Sequence, residues 1–475
     1  MSAGPSLWRN VDLLSRPGVA DRFVIVAVQT VLRPLLEKGI RPHFVCALDH
    51  HEVSRRFYEG LTAEAVEGVT LVAEPKVNPS VPAAFPGKVR MVGDSFLDIV
   101  LGDTAEQGGM ARPMGKLTAG TTVAHLCCYF ARFLGCDPVC LIGQDLGFTD
   151  GQYYAAGAAI HEVWGAELNE LKTLEVMEWQ RIARQRSILR RETDHLGRPV
   201  YTDEQMHTYL MQFAHDFRAD AVAGLTTIDA TEGGVRKPDT VVRTLAEVID
   251  EEMAKSAPSS EQGVRDVLRS VERAERLPES ASTLRVLSER LRTVRRGVQT
   301  VGELSRRAES MLAEAAEHHK DQVRVNGIIG KLDTLRERVK TIEPGWALVQ
   351  WLNQAGAFRR MKADRALAVD VEAGGVDPME RQRRQIDRDR LNVKWLAEAS
   401  GEMAKLLDSA VATVNGAERQ TREPAAAAKK AMGEEVEVVP VVDAVAVVVH
   451  GSREAWWGAT RDASSLRVQG ARRCR

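Results

Sequence analysis

The segment 120–151 constrains the fold most, because it reads as a turn, a helix, a glycine stop, a buried strand and a polar loop. Glycine and two threonines are typical of a helix start, the apolar run 123–134 predicts the helix, and Gly135 predicts its end. The short apolar run 139–142 is typical of a strand covered on both faces. The polar residues 144–151 follow it, and ligands bind open α/β sheets at the carboxyl ends of strands.

Strand-like runs alternate with helical patterns through the first half of the chain. Further strands are predicted at 23–28, 44–48, 70–73, 89–92 and 226–228. This alternation predicts an α/β fold with a doubly wound, Rossmann-like and mainly parallel sheet. Residues 160–222 read as mostly helical with a turn near Gly197, and Thr202 fits a capping box for the helix after it.

The second half has a different composition. Residues 258–422 are rich in Arg, Glu, Leu and Ala at helical spacing, which predicts an all-α hairpin or bundle. One predicted apolar stripe consists of Leu284, Leu287, Leu291, Val294, Val298 and Val301. We therefore expect three regions: a Rossmann-like domain at 1–250, the helical region at 258–422, and a low-complexity, disordered tail at 423–475.

Charge and cysteine content argue against several classes of protein. The 475 residues carry a formal net charge of −2, which gives no general attraction to nucleic acid or to an anionic membrane. None of the six cysteines lies in a CxxC pair, so buried reduced thiols are expected. The best membrane candidate, 438–449, is too short, and no signal peptide precedes the first turn. We expect a cytoplasmic protein without a nucleic-acid or membrane partner.

Common catalytic motifs are absent. Residues 109–116 fail as a phosphate loop because the glycine spacing is wrong and Leu117 replaces Ser or Thr. His161 lacks a second histidine four residues later, and the adjacent His50 and His51 are a poor metal pair, so we assign no metal.

Glycine loops at strand ends are the remaining signal. They lie at 4–7, 115–122, 143–151 and 232–234. Loops on one edge of a sheet predict a nucleotide or nucleotide-sugar pocket shared by Ser6, Thr121, Asp145 and Glu232. The strand expected before Gly4 is missing from the sequence, which suggests an N-terminally truncated chain.

Several strings occur in a fixed order within residues 1–240. They are Ser2-Ala3-Gly4-Pro5-Ser6-Leu7, Ala27-Val28-Gln29-Thr30, Asp49, Gly120-Thr121-Thr122-Val123-Ala124, Gly143-Gln144-Asp145-Leu146 with Thr149-Asp150-Gly151, and Ala230-Thr231-Glu232-Gly233-Gly234. Together they resemble the motility-associated-factor (Maf) glycosyltransferases, which share a domain with archaeal 6-hydroxymethylpterin diphosphokinase-like proteins. The first string is also similar to the nucleotide loop of a family of bacterial sialyltransferases.

The resemblance implies transfer of a nonulosonic sugar from its CMP donor to Ser or Thr of flagellin or another protein. It assigns the donor-binding positions to Gly4, Pro5, Ser6, Gln29, Asp49, Thr121, Thr122, Gln144, Tyr154, Glu232 and Gly233. Asp150 and Asp145 are the candidate bases of an inverting transfer, and His125 is a weaker third. Tyr153-Tyr154 replaces a histidine that the family commonly has, and a tyrosine can hydrogen-bond a leaving phosphate.

Two alternatives stay open. The same loops suit a pyrophosphoryl transferase that uses ATP and magnesium, with Asp49 and Asp145 at the metal. Asp49 is equally well explained as a helix cap. The missing strand instead favours a degenerate, non-catalytic flagellar assembly protein. The helical region is also a candidate surface for homo-oligomer formation.

Overall fold

The computed structural model describes residues 1–93, 95–102, 117, 120–158, 160–255, 263–274, 280–372 and 377–431. Contacts divide this described part into a first unit, residues 1–93 and 117–274, and a second unit, residues 95–102 and 280–431. Residues 95–102 therefore group with the helical region, which their place in the sequence does not suggest.

Helices and strands alternate in the first unit, and helices alone form the second. The helices are α1 (Val19–Arg22), α2 (Leu32–Glu37), α3 (Ser80–Ala84), α4 (Ser95–Leu101), α5 (Val123–Phe133), α6 (Ile160–Trp164), α7 (Leu174–Arg184), α8 (Glu204–Val222), α9 (Leu245–Ala254), α10 (Val264–Ala274), α11 (Ser280–Glu317), α12 (Gln322–Lys340), α13 (Gly345–Leu352), α14 (Gln354–Glu372) and α15 (Pro378–Ala431). The strands are β1 (Val26–Val28), β2 (Phe44–Ala47), β3 (Thr70–Ala73), β4 (Lys88–Met91), β5 (Val139–Leu141), β6 (Arg190–Thr193), β7 (Pro199–Thr202), β8 (Thr227–Asp229) and β9 (Val241–Val242).

The sheets of the first unit are mainly parallel. One sheet has the order β1-β2-β3-β4, a second has the order β5-β8-β9, and all their neighbouring strands are parallel. Strands β1, β2 and β3 are buried along their whole length, as parallel strands covered on both faces must be. The predicted α/β fold followed by a helical region is confirmed.

The first residues of the chain lie between the two parallel sheets. Met1 makes two backbone hydrogen bonds to β1, of 2.7 and 3.1 Å. On the other side, the amides of Ser2 and Gly4 donate to the carbonyls of residues 142 and 143, at 3.0 and 2.8 Å. Residues 1–3 thus take the position where the sequence analysis places a missing strand, and Gly4 turns away at its carboxyl end.

Helix α5 covers β1 and β2. It begins after Thr122, whose side chain accepts from the His125 amide, and it ends before Gly135, whose φ is +80°. Phe130 packs edge to face on Phe44 with ring centroids 4.9 Å apart. The helix and both of its ends agree with the prediction.

The hairpin β6–β7 was not predicted, because residues 160–222 read as mostly helical with a turn near Gly197; that turn joins the two strands. The strands pair antiparallel. The cap of α8 is Asp203, whose side chain accepts from the Met206 amide at 2.7 Å, so the prediction of Thr202 as the cap is wrong. Thr202 donates to the Leu146 carbonyl at 2.8 Å and ties the hairpin to the loop after β5.

The second unit is built on α11 and α15, which pack against each other and against α13. Four members of the predicted apolar stripe are buried: Leu291, Val294, Val298 and Val301. Helix α15 continues to Ala431, past the predicted start of the tail, and residues 432–475 lie outside the described ranges. No described helix combines the length and hydropathy needed to cross a membrane.

Candidate functional site

The carboxylate of Asp145 lies at the centre of the candidate site. Asp145 follows β5 and is 2% exposed. Its carboxylate accepts from the Ser6 hydroxyl at 2.7 Å, from the Ser6 amide at 3.3 Å and from the Thr149 hydroxyl. Burial raises the pKa of Asp145, whereas the hydrogen bonds from Thr149 and Ser6 act to lower it. This candidate base therefore has its oxygens occupied in holding two loops together.

Gly4 allows this arrangement because it has no side chain. A Cβ on Gly4 would lie 2.0 Å from Asp145 Oδ2 and 2.6 Å from the Gly143 carbonyl oxygen. Gly4 precedes a short 3-10 turn, Pro5–Arg9, and Ser6 lies inside this turn with its hydroxyl toward Asp145. The close approach of the loops after residue 3 and after β5 thus requires glycine.

The loop after β8 joins the same cluster. A Cβ on Gly233 would lie 2.8 Å from the Ser6 Cβ, and one on Gly234 would lie 2.3 Å from the Asp145 Cα. Glu232 has its side chain turned inward, where it accepts from Asn10 Nδ2 at 2.9 Å. Three of the four predicted glycine loops therefore meet.

The fourth loop is described only at residues 117 and 120–122. The Thr121 hydroxyl donates to Gln212 Oε1 at 2.8 Å, and the Thr122 hydroxyl lies 2.8 Å from His125 Nδ1. Among the described residues, these hydroxyls bond to α5 and α8 and not to the Asp145 cluster. Two further predicted residues, Gln144 and Pro5, are buried, and they are the sequence neighbours of Asp145 and Ser6.

His125 is a core histidine. Its side chain is fully buried and stacks on Phe213 with ring centroids 3.7 Å apart. Burial lowers its pKa to about 4, so the imidazole is neutral near pH 7. A buried ring of this kind packs the interface of α5 and α8.

Gln29 and Asp49 form a second polar cluster at the ends of β1 and β2. Gln29 Nε2 donates to Asp49 Oδ2 at 2.5 Å, and the Ser54 hydroxyl donates to the same oxygen at 3.2 Å. The Tyr58 hydroxyl donates to Gln29 Oε1 at 3.0 Å. Asp49 does not cap the turn that follows it, since His51 holds that position without a side-chain bond. The structure thus brings together two residues that the resemblance assigns to the nucleotide side.

Tyr154 lies beside this second cluster. The segment is fixed by Ala155, whose amide donates to the Ala3 carbonyl at 2.8 Å. Burial raises the pKa of Tyr154, and the negative charge of Asp49 raises it further, so its hydroxyl keeps its proton near neutral pH. The phenol can therefore donate a hydrogen bond but cannot act as a base there.

Asp150 and Arg9 form an exposed ion pair next to the Asp145 cluster. Asp150 has a left-handed φ of +56°, and its side chain is 67% exposed. Arg9 donates to Asp150 Oδ2 at 2.5 Å and to the Glu232 carbonyl at 2.6 Å. Arg9 was missed by the sequence analysis, although it ends the turn that contains Ser6.

A metal centre is not evident in the described ranges, which contain no group of three or more His, Cys, Asp or Glu side chains arranged to hold an ion. Asp49 and Asp145, the pair that the alternative function assigns to magnesium, accept hydrogen bonds from different neighbours.

Buried neutral histidines make the stability of the first unit depend on pH. Burial lowers the pKa of His43 and of His125 to about 4, below the ordinary 6.5. Between these values the unfolded chain binds protons that the folded chain does not, so stability falls as the pH drops from 6.5 to 4, by up to about 3 kcal/mol per histidine. Urea unfolding of His125→Gln is expected to show a shallower pH dependence. The same change at the exposed His215 is the control, and an unaltered slope in His125→Gln would contradict the argument.

Comparisons with known proteins address the family. Residues 1–151 match the family model described as 6-hydroxymethylpterin diphosphokinase MptE-like, which confirms the predicted resemblance for this part of the chain. No curated protein matches. Among solved structures, the chain is similar to "Structure of MAf glycosyltransferase from Magnetospirillum magneticum AMB-1", with 16% identity and a TM-score of 0.42. The match covers 88% of this chain and 55% of the other, so the chain spans about half the length of that protein.

Proposed function

We propose that the first unit binds a nucleotide-activated sugar at the carboxyl edge of its sheets and acts as a glycosyltransferase. The observation that carries the proposal is the meeting of loops 4–7, 143–151 and 232–234 around the buried Asp145 carboxylate. In open α/β sheets, ligands bind in the crevice formed by loops at the carboxyl ends of the strands, which is where these loops meet. The match of residues 1–151 to a diphosphokinase-like family supports a site for nucleotide phosphates.

The donor in this proposal is a CMP-activated nonulosonic sugar, and the acceptor is Ser or Thr of a protein such as flagellin. This choice follows the resemblance to the Maf glycosyltransferases set out above. Gln29 and Asp49 are assigned to the nucleoside, since amide and carboxylate groups at strand ends suit ribose hydroxyls. Gly4, Ser6 and Gly233 are assigned to the phosphate side. Asp145 positions these loops.

Asp150 is the general base in the proposed reaction. It takes the proton of the acceptor hydroxyl, whose oxygen forms a bond to the anomeric carbon of the sugar. The bond from that carbon to the phosphate oxygen breaks, and its electron pair leaves with CMP. Tyr154, which keeps its proton near pH 7, donates a hydrogen bond to the departing phosphate. Asp150 suits this role because its carboxylate is exposed, whereas that of Asp145 is buried.

A binding and turnover experiment tests the proposal. CMP and CTP are expected to raise the melting temperature of the full chain, and Asp150→Asn is expected to keep this shift. The same variant should lose about 100- to 10,000-fold in transfer to a flagellin acceptor, because the base is gone. Asp12→Asn, which removes an exposed carboxylate paired with Lys38, is the matched control and should keep full activity. Loss of the CMP shift in Asp150→Asn would contradict its role as base.

The second candidate is a pyrophosphoryl transferase acting on a pterin alcohol with ATP and magnesium. The match of residues 1–151 to the 6-hydroxymethylpterin diphosphokinase MptE-like family favours it. A melting shift with magnesium and ATP, but none with CMP or CTP, would favour this candidate over the glycosyltransferase. If no nucleotide shifts the melting temperature, the result would favour the third alternative, a degenerate, non-catalytic flagellar assembly protein.

A further inference from the structure

An exposed tryptophan lies against the turn that carries Asp150. Trp179, on α7, is 59% exposed. The bare face of Gly151 lies against its indole, since a Cβ on Gly151 would be 3.4 Å from both Nε1 and Cε2. Gly151 has a φ of +73°, a left-handed conformation that favours glycine, and the indole lies at van der Waals distance from this turn. Trp179 therefore presents an exposed aromatic ring next to the turn that carries the candidate base.

Arg9 contacts the same turn through Asp150. Its guanidinium contacts the Asp150 carboxylate and the Glu232 carbonyl, and its side chain is still 34% exposed. Arg9 and Trp179 therefore adjoin two consecutive residues, Asp150 and Gly151. A guanidinium and an exposed aromatic ring that adjoin consecutive residues suit a ligand that has both a carboxylate and an apolar face.

We propose that Arg9 and Trp179 form the subsite for the sugar ring of the donor, an inference that rests on the proposed function. A nonulosonic sugar has a carboxylate on its anomeric carbon, which the Arg9 guanidinium can bind in two-point geometry. The C–H face of the same ring can pack on the indole of Trp179. Neither residue is needed to hold the nucleoside, which is assigned to Gln29 and Asp49.

This subsite also couples donor binding to the base. Arg9 holds the carboxylate of Asp150 in the unliganded chain. A sugar carboxylate that binds the guanidinium competes with Asp150 and releases it to accept a proton from the acceptor. The base is then free only when the sugar occupies the site, which limits attack to the loaded enzyme.

Calorimetric titration with two probes tests the subsite on the full chain. CMP reports the nucleotide site alone, and CMP-N-acetylneuraminate reports the nucleotide and sugar sites together. Trp179→Ala is expected to weaken CMP-N-acetylneuraminate about tenfold with CMP affinity unchanged. Arg9→Gln, which also loses its bond to the Glu232 carbonyl, should weaken CMP-N-acetylneuraminate at least tenfold more than it weakens CMP. Trp179→Phe should recover part of the loss because it keeps an aromatic face.

Matched controls separate the subsite from general surface effects. Leu171→Ala removes a side chain that is 92% exposed and lies on the segment before α7. Arg16→Gln breaks an exposed ion pair with Asp250. Both controls should bind both probes like the wild type.

Three results would overturn the inference, and one of them also overturns the proposed function. Equal weakening of CMP and of CMP-N-acetylneuraminate would show that Trp179 and Arg9 serve the nucleotide site. A Trp179→Ala variant that binds both probes normally but has a raised KM for the protein acceptor would assign the ring to the acceptor peptide. If the wild type binds neither probe, the proposed function itself fails.

Discussion

Replacing Gly234 with alanine is expected to destabilise the first unit by about 4 kcal/mol and to abolish CMP binding. The φ of Gly234 is +70°, a conformation that costs alanine about 1–2 kcal/mol. The new Cβ would also lie 2.3 Å from both the Cα and the carbonyl oxygen of Asp145. The atoms that the Cβ would clash with belong to the backbone of Asp145, and no flexible side chain can move to relieve the clash. The loop after β8 must therefore move away from Asp145.

Gly224→Ala is the matched control for this substitution. Gly224 has a similar φ of +79°, but no atom lies within 4 Å of its Cβ position. Gly224→Ala should therefore lower the free energy of unfolding by only about 1 kcal/mol, the cost of a left-handed alanine, and should leave CMP binding intact. Urea unfolding and calorimetric titration of the two variants give the comparison. Equal destabilisation in both would show that the loops do not meet as described.

The strands and α5 are predictable because their signals are local. Continuous apolar runs at 44–47 and 70–73 specify buried parallel strands whatever the rest of the chain does. The hairpin strand Arg190–Thr193 has no such signal, because its residues are polar and mostly exposed. Its structure depends on pairing with Pro199–Thr202, and local pattern reads it as helix or loop.

The meeting of the glycine loops is predictable from topology, since parallel strands end at the same edge of a sheet. The roles of individual carboxylates are not. Asp145 and Asp150 are five positions apart in sequence and both polar, yet one is buried and the other exposed. The difference arises from Ser6, which is 139 residues away and donates to Asp145. The topology predicts that these two loops meet, but it does not predict which carboxylate the Ser6 hydroxyl binds.

Lys237 shows the same limit. It lies between Gly234 and Pro238, outside any helix or strand and without an apolar pattern, yet it is 2% exposed. Its ammonium donates to both carboxylate oxygens of Asp229, at 3.0 and 3.2 Å, and to the Val235 carbonyl at 3.2 Å. Asp229 ends β8 and also accepts from the Thr231 amide, so this pair fixes the start of the loop that reaches Asp145.

Lys237→Met is expected to destabilise the first unit by about 3–5 kcal/mol, because it leaves the Asp229 carboxylate buried without its cation. Adding Asp229→Asn should recover much of the loss, since the second change removes the unpaired charge and keeps a polar group of the same size. Lys237→Met should also weaken CMP binding, and adding Asp229→Asn should restore part of it, because both changes act on the loop after β8.

Arg243→Met is the control for this pair. Arg243 and Glu251 form an ion pair whose side chains are 30% and 54% exposed, and an exposed pair of this kind contributes about 1 kcal/mol or less. Urea unfolding of the four chains, wild type included, measures the difference directly. Should Lys237→Met cost no more than Arg243→Met, the Asp229 carboxylate must have access to water or a proton. The loop after β8 would then be held by its glycine contacts with Ser6 and Asp145 alone.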